Sequence, residues 1–209
     1  MNDFKIIDEY YTIAEPATSE IKIKGSVFIA AAYNATDRQQ ALNIHKEIKA
    51  KHHDASHNCY AYRIGFDGAD FRAADDGEPS GTAGKPILAM LQKYELSDSI
   101  VVVTRYFGGT KLGVGGLVRA YSDSAESVLQ IVSRKTIYRT IKFYIQCGYN
   151  DVSTVKKLIQ KDAVRFEEVY TDKVEFKAEI LISKADDFEN VIYEITYGRV
   201  SAERISMDL

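Results

Sequence analysis

The chain has 209 residues, 45% hydrophobic and 27% charged, a composition that supplies real cores and excludes a disordered chain. No apolar run approaches the ~18 residues a bilayer span needs, and the opening MNDFKIIDEYY has neither a basic n-region nor a long apolar h-region, so a cytoplasmic protein without membrane contact is expected. The net charge is −3, with 16 Lys+Arg against 17 Asp+Glu through Lys135 and 11 against 13 after it, which excludes a general polyanion binder and DNA sequence specificity.

The first clear pattern covers 21–32, IKIKGSVFIAAA, which alternates and then turns continuously apolar; it reads as one strand with a bulge at Gly25-Ser26. Asp37 has the character of an N-cap, with Gln40 three residues on and Ala41, Ile44 and Ile48 marking one face of a helix ending near Lys51. Residues 58–66 alternate as a half-buried strand, with a short partner strand expected near Phe71. DDGEPSGTAGK, 75–85, is turn chemistry and must be a loop. Pro86 suits a first helical turn, and Ile87, Met90, Leu91 and Tyr94 follow at helical spacing. Ile100 to Thr104 reads as a strand buried on both faces, and Leu117, Tyr121, Ser124 and Val128 define a second long helix.

From Thr136 the order changes to strand (137–147), helix (151–160), strand (163–170), strand (174–182), helix (185–197) and strand (199–207), a β-α-β-β-α-β unit of the ferredoxin-like type. The expected fold class is therefore α+β in two domains, 1–134 and 135–209. Cys59 and Cys147 lie far apart and read as buried thiols rather than a disulfide framework.

Between the Ile100 strand and the Leu117 helix runs TRYFGGTKLGVGGLVR, a glycine-rich junction whose only charges are Arg105, Lys111 and Arg119. Gly108, Gly109, Gly113, Gly115 and Gly116 let backbone approach a ligand, and the N–H groups at a helix start favour an anion. Tyr106 and Phe107 add rings able to stack on a base, and Lys24 and Lys85 extend the cationic set. The plain alternative is tight turns with solvated cations.

Other clusters are weaker. His45, His52, His53 and His57 with Asp54 and Cys59 match no zinc template, so no metal is expected. Asp75, Asp76 and Glu78 precede Ser80 without completing a nucleophile arrangement, and read either as acid/base groups together with His57 or as solvated turn acids. Gly84-Lys85 is followed by Pro86 where a Walker loop needs Ser or Thr, and 113–118 lacks the last glycine of the dinucleotide fingerprint, so no cofactor is expected.

Taken together, Lys24-Gly25-Ser26-Val27-Phe28-Ile29, His57-Asn58-Cys59-Tyr60-Ala61-Tyr62, the 75–86 loop, and Val103 to Gly109 through Leu112-Gly113 and Gly116 to Tyr121 resemble the IMPACT family in order and spacing. That resemblance implies a first domain shaped like the second domain of a small-subunit ribosomal protein, a sheet with helices on one face. The same fold occurs in a domain of elongation factor G and in some small-molecule kinases. It also implies a ferredoxin-like second domain, as in bacterial members. Eukaryotic relatives regulate translation by competing for an activator of an amino-acid-starvation kinase. The chain departs from them in that only about twenty residues precede Ile21, with no further interaction domain among them, and Val27 stands where many relatives carry a basic or polar residue.

The expected function is a non-enzymatic binding protein linked to translation regulation, contacting RNA, the ribosome or a translation-associated protein through the glycine-rich cationic loop. Two alternatives stay open: an enzyme acting on a phosphorylated or carboxylated small molecule, with His57, Asp76 or Glu78 as acid/base groups, and a pure protein–protein adaptor.

Overall fold

The structure, a computed structural model, describes residues 6–205. The first residues of the stretch read for a leader, and Met207 at the end of the expected last strand, lie outside them. The chain divides into two compact units, Tyr10–Ile137 and Tyr138–Leu209, the second including the segment before Tyr10.

In the first unit, β1 (Glu9–Ile13) is followed by β2 (Ala17–Ile23) and β3 (Ser26–Asn34). The apolar pattern across 21–32 is therefore not one bulged strand. Lys24 and Gly25 form a two-residue turn, both with positive φ (47° and 83°), and Ile23 pairs with Ser26 across it. Two left-handed residues make the turn whose twist suits a hairpin. Next come α1 (Arg38–Lys51), β4 (His57–Ile64), β5 (Asp70–Ala74), α2 (Gly84–Lys93), β6 (Ser99–Tyr106), α3 (Gly113–Leu129) and β7 (Arg134–Tyr138). The Asp37 carboxylate accepts from the Gln40 N–H, so α1 starts where its sequence signals a cap.

Strands β2-β3-β6-β4-β5 form a sheet whose neighbours are all antiparallel, and β1 pairs with β7 separately. Alternate residues of the central strands serve two cores. Phe28, Ala30, Cys59, Ala61, Val101 and Val103 meet α2 and α3 through Ile87, Leu91, Leu117 and Tyr121. Tyr60, Tyr62, Ile100 and Val102 meet α1 through Ala41 and Ile48. Helices therefore cover both faces, correcting the expectation of one. The reason is physical: Tyr60, Tyr62, Ile100 and Val102 make a second apolar surface, and leaving such side chains wet costs about 1.5–3 kcal/mol each.

The second unit contains β8 (Thr140–Cys147), α4 (Val152–Asp162), β9 (Ala163–Tyr170), β10 (Val174–Leu181), a 3-10 turn (Ile182–Lys184), α5 (Ala185–Ile195) and β11 (Ala202–Arg204). The expected strand 137–147 is thus two strands in different sheets, parting at Arg139. The sheet order is β11-β8-β10-β9, antiparallel throughout, giving the expected β-α-β-β-α-β order. Phe143, Ile145, Phe176 and Ile180 pack beneath Val155 and Ile159 of α4 and Phe188 and Ile192 of α5. No helix among the described residues is long and apolar enough to cross a membrane.

Candidate functional site

Strand parity decides where Arg105 goes. On β6 it follows Val101 and Val103 at two-residue steps, so it points to the same covered face, and it is 5% exposed. Arg105, expected with Lys111 and Arg119 to meet an anion or, in the plain alternative, to be solvated, is thus buried while those two are exposed. Its Nη1 donates to Glu78 Oε1 at 2.6 Å and its Nη2 to Ser26 Oγ at 3.3 Å. The guanidinium lies over the rings of Phe28 and Phe107, 5.4 and 5.5 Å from their centroids. Glu78, read as a solvated acid or an acid/base group, is buried as well, and its Oε1 also accepts from the Tyr121 hydroxyl at 2.9 Å. Removing one partner would strand the other charge.

The loop that delivers Glu78 is pinned by its own acids. Asp75 accepts N–H bonds from Gly81, Ala83 and Gly84, fastening the loop to the start of α2. Burial pushes its carboxyl up, but these donors and Lys85 outweigh that and hold it below the usual carboxylate value. Asp76 accepts from Lys49 Nζ and the Asn58 N–H, both at 2.7 Å, and its carboxyl is likewise lowered against the effect of burial. His57 Nδ1 donates to the Asp76 carbonyl at 2.9 Å, leaving Nε2 3.8 Å from Glu78 Oε1.

Cys59 lies 2.9 Å from the Asp75 carbonyl, to which it donates, and 3.4 Å from the Tyr121 hydroxyl. Burial first, then the surrounding acids, pushes its thiol up, which disfavours the thiolate. Two of the other histidines also have local duties. His45 Nε2 meets the Asn58 carbonyl while its ring packs on Tyr60, and His52 Nδ1 meets the Tyr106 hydroxyl. That hydroxyl donates to Asp54, which joins Tyr106 to both His52 and Asp54. Among the described residues no group of His, Cys, Asp and Glu is arranged to hold a metal ion.

The glycines divide into two kinds. A Cβ on Gly108 would fall 1.9 Å from the Gly25 carbonyl carbon, so Gly108 serves backbone packing against the Lys24-Gly25 turn. Gly109, Gly113 and Gly115 face open space, with φ of 85° and 73° at the first two. Gly116 sits close to Leu112. Lys24, Lys85, Lys111 and Arg119 are exposed. Of the cationic candidates, Lys111 and Arg105 line a cleft of about 350 Å³ with Glu78, Pro79, Phe107, Leu112, Gly113, Val114 and Leu117. Phe107 is 50% and Val114 65% exposed at its mouth.

Ser26, Tyr121, Pro79, Val114 and Leu117 enter this site without being among the expected site residues. Tyr121 reads from periodicity as simple core, and Ser26 as part of a strand bulge. The usable signal was the parity of Arg105 on a buried strand, which demands a buried acid.

A family model described as the Impact N-terminal domain matches residues 24–129, and the IMPACT family member YvyE of Bacillus subtilis is 36% identical over 93% of this chain and 90% of its own. The chain belongs to the IMPACT family. The protein IMPACT homolog of Saccharomyces cerevisiae is 32% identical over 58% of this chain and 47% of its own length. A solved structure described as a hypothetical protein covers 97% of this chain and 100% of its own at 27% identity, with a TM-score of 0.66. The Impact N-terminal match spans the hairpin turn, the Glu78 loop, β6 and α3, so the whole cleft lies inside the IMPACT domain.

Proposed function

We propose that this IMPACT family member is a non-enzymatic binding protein linked to translation regulation, engaging a translation-associated partner through the face carrying Phe107, Lys111, Val114 and Arg119. One observation carries the reading. The groups that acid/base chemistry would need, Glu78, Asp76 and His57, are committed to Arg105, Lys49, Asn58 and one another, while the residues left open are apolar and cationic. The link to translation rests on the family, whose eukaryotic branch includes the yeast relative. Lys24 lies beside this face, because its turn abuts Gly108. Lys85 starts α2 and does not line the cleft.

Co-sedimentation with purified ribosomes, with and without translation factors, tests the proposal. Phe107→Ala and Lys111→Glu are each expected to reduce the bound fraction about tenfold, the effect of losing roughly 1.4 kcal/mol. Failure of the wild-type protein to sediment, or indifference to both substitutions, overturns it.

A further inference from the structure

The cleft before α3 offers more than a cationic loop. Pro79, Phe107, Leu112, Val114 and Leu117 form its walls and Lys111 its rim, while Arg105 and Glu78 at the base neutralise one another. Phe107 is half exposed yet held in place: its N–H donates to Ser56 Oγ at 3.1 Å and its ring rests over the buried guanidinium. Val118, one helical turn beyond Val114, extends the apolar surface, with Arg119 beside it. The first turn of α3 carries no acid, and Leu112 at its N-cap offers no side-chain acceptor. Open N–H groups there add to the positive potential of Lys111.

Resting on the reading that this face binds a partner, we infer that its occupant is an acidic peptide segment of a partner protein. An apolar side chain seats against Phe107 and Leu117, and a neighbouring carboxylate meets Lys111 and the α3 first-turn N–H groups. Charge complementarity and the lining both select this occupant. The site is cationic only at its rim, and its one acid is already paired. A nucleic acid fits less well. Phe107 is the one aromatic ring in the lining, and Val114 and Val118 around it give successive bases no second flat face to stack on. The volume is at the small end of ligand pockets, about 300–1,000 Å³, which suits one or two anchoring side chains.

The full-length protein is titrated by fluorescence anisotropy with a short labelled peptide bearing Leu-Phe flanked by Asp and Glu, with the same peptide carrying Asn and Gln instead, and with single-stranded oligoadenylate. The acidic peptide is expected to bind saturably and the amide version about tenfold more weakly. Lys111→Glu and Val114→Asp should each weaken binding about tenfold or more, with Lys161→Glu on α4 unchanged and circular dichroism confirming that every variant is folded. Raising salt from about 0.05 to 0.5 M should weaken it several-fold. Absence of binding, equal affinity for the amide peptide, or tighter binding of oligoadenylate overturns the inference. If the peptide fails while ribosome sedimentation still responds to Lys111→Glu, the partner-face reading survives and the acidic-peptide assignment falls. If neither responds, both fall.

Discussion

Burying Arg105 is tolerable only because Glu78 meets it and Ser26 takes part of the remaining guanidinium, while Tyr121 supplies the carboxylate with a second donor. Glu78→Gln keeps the volume and removes the charge, leaving Arg105 uncompensated in the core. The expected cost is about 3–5 kcal/mol in urea unfolding, as for other broken buried pairs. Adding Arg105→Met should restore a large part of it, because the double variant leaves no charge stranded. If Glu78→Gln is nearly neutral, or the two losses simply add, the pair is not coupled as described. Nothing adjacent in sequence announces this partnership, since Glu78 sits 27 residues away in a loop that reads as solvated turn chemistry.

The junction between β6 and α3 shows how glycines in one run take unlike duties. Gly108 is excluded from any Cβ by the Gly25 backbone, whereas Gly115 lies inside α3 with open space before it. Gly108→Ala should therefore lower the melting temperature. Gly115→Ala should raise stability by about 0.5–1 kcal/mol, the usual helix-interior gain over glycine. If Gly115→Ala is stabilising yet impairs partner binding, the close approach that glycine permits is what the position provides; a destabilising Gly115→Ala contradicts the geometry. Elements with sustained period, such as α1 behind its Asp37 cap, β4, β6 and α3, were legible in the residues alone. The hairpin was not, because side-chain parity reads through Lys24-Gly25 as it would through a bulge. The parting at Arg139 was not either, as no turn residue marks it and both halves are β-prone. Both faces of β6 were legible as buried, but one residue string does not say which helix covers which.

At the scale of the molecule, acid should find the Tyr10–Ile137 unit through Asp75 and Asp76. Both carboxyls titrate lower in the folded state than their ordinary value of 3.8, so the stability they contribute is full above that value and is lost as pH falls through the folded-state pKa. Thermal unfolding followed from about pH 6 to pH 3 should show a falling midpoint for the wild type, and a lower but flatter curve for Asp75→Asn. A wild-type midpoint constant over that interval refutes the linkage. The second unit carries a different consequence, which lies in time. Arg139 donates its N–H to the Asp8 carbonyl, Arg139 Nη1 donates to the Ile7 carbonyl, and Ser183 bonds the Asp8 carboxylate, so this unit is closed by residues from the far end of the chain. During synthesis at about 5–20 residues per second, Ile7 and Asp8 emerge roughly ten seconds before Arg139 exists. The family domain between them can fold as it emerges, while the earliest segment waits for the latest one. Completion of the second unit thereby needs chain from both sides of the family domain.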